Sequence, residues 1–128
     1  MKIGSISENR QEDKRVAITP DIIKKYKSLG FEINLVENYA YHLGIKDEEY
    51  KSQGVNILKT DEEVILSSDA ILQMNIISQN NLDKLKNNQI LIGVLNPYKN
   101  KEKLREISSK KIACFSLEML PRITRAQS

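Results

Sequence analysis

The 128 residues carry 20 basic and 17 acidic side chains, a net charge of +3, with 40% hydrophobic and 29% charged content. That balance describes one folded domain burying roughly two-thirds of its unfolded surface, which excludes a disordered tail, and the mild charge argues against a nucleic-acid partner. No apolar run approaches the ~20 residues that span a bilayer, the start Met1-Lys2-Ile3-Gly4-Ser5-Ile6 holds no signal-peptide core, and the single Cys114 cannot form an internal disulfide; a cytoplasmic chain is expected.

The pattern predicts a strand over Lys2–Ile6, then a polar loop from Ser7 to Arg15. Thr19 is placed to cap a helix with its hydroxyl, Pro20 suits the first turn, and Asp21 complements the helix dipole. Ile22, Ile23, Tyr26 and Leu29 fall on one helical face, and Gly30 ends the helix. Phe31–Val36 alternates apolar and polar, as a strand near a sheet edge does. A short helix over Asp47–Gln53 ends at Gly54 and leads to a strand over Val55–Leu58.

Thr60 with Glu63 makes a capping box ahead of Val64, Ile65 and Leu66, and Ala70–Met74 is the next strand. Leu82 and Leu85 mark a helix, Ile90–Leu95 is the most continuous apolar run, and Asn96-Pro97 stops it. An amphipathic helix over Lys99–Ser109, centred on Leu104 and Ile107, precedes a last strand over Ile112–Phe115. Strands separated by single helices imply a doubly wound, mainly parallel α/β sheet, Rossmann-like or flavodoxin-like. The whole of residues 1–128 is read as one lobe.

In such a sheet ligands lie beyond the carboxyl ends of the strands. That rule selects Ser7–Thr19, Met74–Gln79, Asn96–Tyr98 and Leu117–Ser128. The residues alone do not choose among them. The sequence lacks Gly-x-Gly-x-x-Gly, the P-loop pattern, Cys-x-x-Cys and His-Glu-x-x-His, so it has neither the usual dinucleotide cradle nor a recognisable metal set. His42 has no partner visible in sequence and reads as a half-buried loop residue; Cys114 reads as structural and Tyr98 as packing. The basic stretch Lys99–Lys111 is broken by Glu102 and Glu106 at helical spacing, which marks a solvated face.

Glu8…Lys14-Arg15-Val16-Ala17-Ile18-Thr19-Pro20 resembles the N-terminal signature of alanine dehydrogenases and of the alpha subunit of NAD(P) transhydrogenase. Pro121-Arg122-Ile123-Thr124-Arg125-Ala126-Gln127-Ser128 resembles, more specifically, the transhydrogenase sequence that opens the interdomain helix. Gly30-Phe31-Glu32, Ser68–Leu72 and Asn96-Pro97 follow in that family's order. The resemblance implies a two-lobed subunit that passes a hydride between NAD(H) and NADP(H), coupled to proton translocation. Its implied partners are a second, NAD-binding lobe, a beta subunit with an NADP-binding domain, and further copies of itself in a homo-oligomer. A membrane-embedded partner would make it peripheral to the inner membrane.

By the same resemblance, Arg122 approaches the nicotinamide, and Gln127 helps organise the meeting of the two nicotinamides as the catalytic position. Arg125 reads as a surface or interdomain residue. Both roles suit the residue types: arginine offers a planar charged fork, and glutamine both donates and accepts. The chain is expected to be a piece of that subunit, with no cofactor held tightly by itself and an apolar surface near Leu117, Met119 and Leu120. Alanine dehydrogenases resemble it early on, but hold their keto acid with a lysine and a histidine. Gln73 and Asn96 stand where those would fall. Transhydrogenases often carry that lysine too, so Gln73 does not decide the branch and the motif ending at Ser128 does; the alternatives are an alanine-dehydrogenase-like enzyme and a non-catalytic remnant. Arg15 either faces the cleft or pairs with Glu8 or Glu12, and Gln73 and Asn96 on the plain reading satisfy backbone groups at strand ends.

Overall fold

Gly4 has no side chain because helix and sheet meet there. A Cβ at that position would stand 2.3 Å from Ser68 Oγ and 2.8 Å from Val64 Cγ1. The computed structural model describes residues 1–8, 15–75, 78–94 and 101–116. It contains β1 (Lys2–Ser5), β2 (Glu32–Val36), β3 (Asn56–Leu58), β4 (Ala70–Asn75), β5 (Ile90–Val94) and β6 (Ala113–Ser116). The connecting helices are α1 (Pro20–Ser28), α2 (Asp47–Lys51), α3 (Asp61–Leu66), α4 (Gln79–Leu82) and α5 (Lys101–Ser109). The sheet is six-stranded in the order β3-β2-β1-β4-β5-β6, and each paired neighbour runs parallel.

The order has one reversal. From β1 the chain steps outward through β2 to β3, then returns to the other side of β1 for β4, β5 and β6. Helices α1 and α2 pack together over β2 and β3, α3 lies against β1, β2 and β3, and α4 meets α5. Asn81 at α4 bonds Asp61 at the start of α3, which puts those helices on a common face. This is the expected doubly wound α/β architecture, and the strand boundaries agree with the sequence pattern to within a residue or two.

The core joins Ile3, Ile33, Leu35, Ile71 and Leu91 of the sheet to Ile23, Val64, Ile65, Leu82 and Ile107 of the helices. Lysines fasten helix carboxyl ends, where unpaired carbonyls and the helix dipole attract a cation. Lys86 Nζ donates to Leu66 O at 2.7 Å, Lys110 Nζ to Leu82 O at 3.2 Å, and Lys27 Nζ to Gly54 O at 3.1 Å. Lys110 also pairs with Glu106 at 3.8 Å, whereas Lys101 and Arg105 are exposed, as a solvated face requires.

Two sequence expectations need correction. Thr19 makes no side-chain bond to the helix amides, because its hydroxyl turns to the Asp21 carboxylate instead. Leu29 is 62% exposed because α1 ends at Ser28, one residue before it. β2 lies near the sheet edge as expected, between β1 and the edge strand β3, yet Ile33, Asn34, Leu35 and Val36 are all buried. Its polar residue makes the alternation misleading. Asn34 Nδ2 donates to Ser67 O and Ser68 Oγ, and Asn34 Oδ1 accepts from Asn56, so a buried amide is satisfied inside the sheet.

Elsewhere the local chemistry is as expected. Thr60 Oγ1 accepts from Glu63 N at 3.1 Å, and Gly30 adopts φ +91°, a left-handed stop after α1. His42 is half-buried in a single turn of 3-10 helix, Tyr41–Leu43. Among the described residues no helix is long and apolar enough to cross a membrane, and no group of His, Cys, Asp or Glu could hold a metal ion.

The contact at Gly4 yields a direct test. Gly4→Ala is expected to lower the unfolding free energy by about 1–3 kcal/mol in urea denaturation, the usual cost of overpacking. Adding Ser68→Gly should restore part of that loss, since it removes the nearest clashing atoms. An alanine variant as stable as the parent would contradict the contact.

Candidate functional site

β1 and β4 are neighbours whose chains leave in opposite directions, so their carboxyl ends open the crevice where such sheets receive ligands. Ser5, Ile6 and Glu8 come from the end of β1, and Gln73, Met74 and Asn75 from the end of β4. Ser5 and Gln73 are both essentially buried, at 0% and 2% exposure. Tyr39, just after β2, and Tyr50 in α2 are fully buried beneath the loop that carries Arg15–Thr19.

Gln73 spends its whole amide on the chain. Its Oε1 accepts from Ile6 N at 2.7 Å and lies 3.1 Å from Ser5 Oγ. Its Nε2 donates to Ile6 O at 3.0 Å and to Glu8 Oε2 at 2.9 Å. The partners fix the amide orientation, since a flipped amide would set donor against donor at Ile6 N. Both amide protons are used, so no donor remains to hold a substrate. The plain reading of Gln73, satisfaction of backbone at a strand end, is the one the geometry bears out.

A second buried system holds the Arg15–Thr19 loop. Tyr39 Oη accepts from Ala17 N at 3.0 Å and Ile18 N at 3.2 Å. With those lone pairs taken, its proton points to Ser5 Oγ at 2.7 Å, and the Ser5 proton goes to Leu72 O at 2.6 Å. Tyr50 Oη donates to Ile18 O at 2.8 Å, and the two tyrosine rings meet edge to face at 6.0 Å. Burial pushes the Tyr39 hydroxyl up to about 12, and the hydrogen bond shared with Ser5 moderates the rise. Burial, and then the charge of Tyr39, push Tyr50 upward as well.

Glu8 reaches across from β1 to the end of β4. Its carboxylate accepts from Met74 N at 2.6 Å, from Asn75 N at 3.3 Å and from the Gln73 amide. Those amides are available because β4 bulges there: Leu72 pairs with Ile92 but Asn75 with Val94. The sequence signal for this is the polar Gln73 in an apolar strand; nothing in the spacing of Ser5, Tyr39 and Glu8 announces that they meet. Arg15 is exposed at the start of the tyrosine-held loop. Arg122, Gln127 and Arg125, with Asn96, Tyr98, Glu12, Leu117, Met119 and Leu120, lie outside the described residues, as do the side chains of Leu104 and Cys114.

The family described as alanine dehydrogenase/PNT, N-terminal domain, matches residues 4–128. The first portion of NAD(P) transhydrogenase subunit alpha from Rickettsia prowazekii is 31% identical over 132 residues, an alignment covering 100% of this chain and 34% of that protein. The crystal structure of transhydrogenase from Sinorhizobium meliloti superposes with a TM-score of 0.88 at 27% identity, covering 99% of this chain and 38% of that one. An L-alanine dehydrogenase structure superposes with a TM-score of 0.83 at 16% identity, over 91% of this chain and 32% of that one, a likeness of fold alone. The chain thus spans about a third of the length of these relatives.

Tyr39→Phe keeps the ring and deletes only the hydroxyl, which accepts from Ala17 and Ile18 and bonds Ser5. Stranding those amides is expected to cost about 1–3 kcal/mol in denaturant titration. The pH dependence follows from the raised hydroxyl. The fold favours neutral Tyr39, so its contribution is whole below pH ~10 and is lost as pH rises through about 12. Unfolding free energy should fall across that window by about 1.4 kcal/mol per pH unit for this tyrosine, and the slope should shrink by that share in Tyr39→Phe.

Proposed function

The chain belongs to the family of alanine dehydrogenase/PNT N-terminal domains, and from that premise we propose that it is the first lobe of the alpha subunit of a proton-translocating NAD(P) transhydrogenase. Relatives of this family are oxidoreductase components. The observation that carries the finer reading is the match of the entire chain to transhydrogenase alpha subunits in sequence and in structure. The reaction is a hydride transfer between NAD(H) and NADP(H), for which the lobe supplies position rather than acid–base chemistry.

The site geometry favours the same reading over an amino-acid dehydrogenase. An enzyme of that class needs a charged side chain to clamp a keto acid and a group to protonate it. At the lysine position this chain has a saturated, buried amide, Gln73. The sequence also has no glycine-rich cradle for a pyrophosphate. Grip on the dinucleotide therefore falls to a second lobe, consistent with the chain spanning about a third of its relatives. Arg122 would orient the nicotinamide from this side, and Gln127 would sit between carboxamide and ribose where the two rings approach. A beta subunit carrying NADP(H), a homo-oligomeric assembly and peripheral membrane association complete the proposal.

In the complete alpha subunit with its NADP-binding partner, NADPH-driven reduction of an NAD analogue is the expected activity; alanine-dependent NADH formation would overturn the reading in favour of the dehydrogenase. There, Arg122→Ala and Gln127→Ala should each slow transfer at least about tenfold, some 1.4 kcal/mol of barrier, without lowering stability. The 128-residue chain alone should transfer no hydride and bind NADH at best at about millimolar levels, near −4 kcal/mol. Micromolar binding in calorimetric titration of that chain would contradict the division of labour.

A further inference from the structure

We propose that the end of β4 is a carboxylate-binding site that the chain fills with its own Glu8, closing the crevice to small free carboxylates. The donors converge from one bulge: Met74 N at 2.6 Å, Asn75 N at 3.3 Å and Gln73 Nε2 at 2.9 Å reach the same carboxyl group. Adjacent backbone amides with a side-chain amide form a concave anion receptor, without any cationic side chain among the three. Gln73 is itself locked by Ile6 and is 2% exposed, so the receptor is preformed and does not depend on a mobile side chain.

Glu8 is a tethered ligand for that receptor. A tethered group enjoys an effective concentration at least in the millimolar range, so a free monocarboxylate at ordinary metabolite levels loses the competition. The ligand class is set by shape and charge: one carboxylate on a short methylene stem. The carboxyl group of a 2-oxo acid meets that description, and in this chain it finds the receptor taken. Glu8 is in this sense a specificity-determining residue. The inference concerns the lobe's own binding chemistry and stands apart from the transhydrogenase reading.

Glu8→Ala removes the γ-carbon and carboxylate, which together are the heavy atoms of acetate. Thermal unfolding of the variant should respond to sodium acetate beyond sodium chloride at matched ionic strength, rising with the logarithm of acetate concentration above its dissociation constant, with about a tenfold shift in the folding equilibrium at ten times that constant. The parent chain should respond to the two salts alike. If Glu8→Ala is unfolded in chloride, recovery of circular dichroism in acetate reads the same binding. Glu8→Gln keeps the site filled and should be less stable yet indifferent to acetate. Equal effects of acetate and chloride on Glu8→Ala, or an acetate response in Glu8→Gln as large, would overturn the proposal. Since no nucleotide is involved, either result leaves the hydride-transfer assay to be judged on its own outcome.

Discussion

Where β1 and β4 part, backbone groups that the sheet can no longer pair must be satisfied by something else, and the rest of this crevice follows from that need. Water is the ordinary solution at a strand end, but the residues here are buried, and an unpaired buried amide costs about as much as the hydrogen bond it forgoes. The chain answers with side chains. Gln73 takes both the N–H and the C=O of Ile6, Ser5 takes Leu72 O, Tyr39 takes two amides of the returning loop, and Glu8 takes the two amides freed by the bulge. Sequence distances of up to 67 residues are spanned by these bonds. They fix the crevice more firmly than packing alone, because each has a direction as well as a distance.

The architecture is largely legible in the sequence, and for a definable reason. Parallel strands buried on both faces are written as continuous apolar runs such as Ala70–Leu72, and the intervening helices announce their ends through Pro20, Thr60 and Gly30. The pattern misleads where a polar residue has a partner far away in sequence. Asn34 makes β2 look half-exposed, although its amide is held by Ser67, Ser68 and Asn56 from α3 and β3. Thr19 is a good cap by type, yet Asp21 competes for its hydroxyl. Local pattern predicts periodicity well and predicts partners poorly.

The site divides along the same line. Gln73 stands out as a polar residue in an apolar strand, and its role in satisfying the backbone is among the readings available from sequence. Ser5, Tyr39 and Glu8 are not legible as a group, since only the reversal in strand order brings the ends of β1, β2 and β4 together. Arg122 and Gln127 emerge through resemblance and not through any local physical signal. Their assignment rests with the family, whose relatives the chain matches along its whole length.

A lobe made in this way is suited to hold and not to react. Its buried tyrosines are driven further toward the neutral form by burial, its amide at Gln73 is saturated, and its carboxylate at Glu8 is engaged by donors. The two tyrosines are thereby moved away from exchanging a proton near neutral pH, where a general acid or base has to work. A hydride passing between two dinucleotides asks for no such group, only for a wall that does not yield and a pair of side chains that orient the rings. Reduction of a 2-oxo acid, by contrast, needs an open carboxylate receptor and a proton source at the same crevice. The proposed receptor is occupied by the bonds that stiffen this end of the sheet, so the stability of the crevice and the selectivity proposed for it rest on one set of contacts.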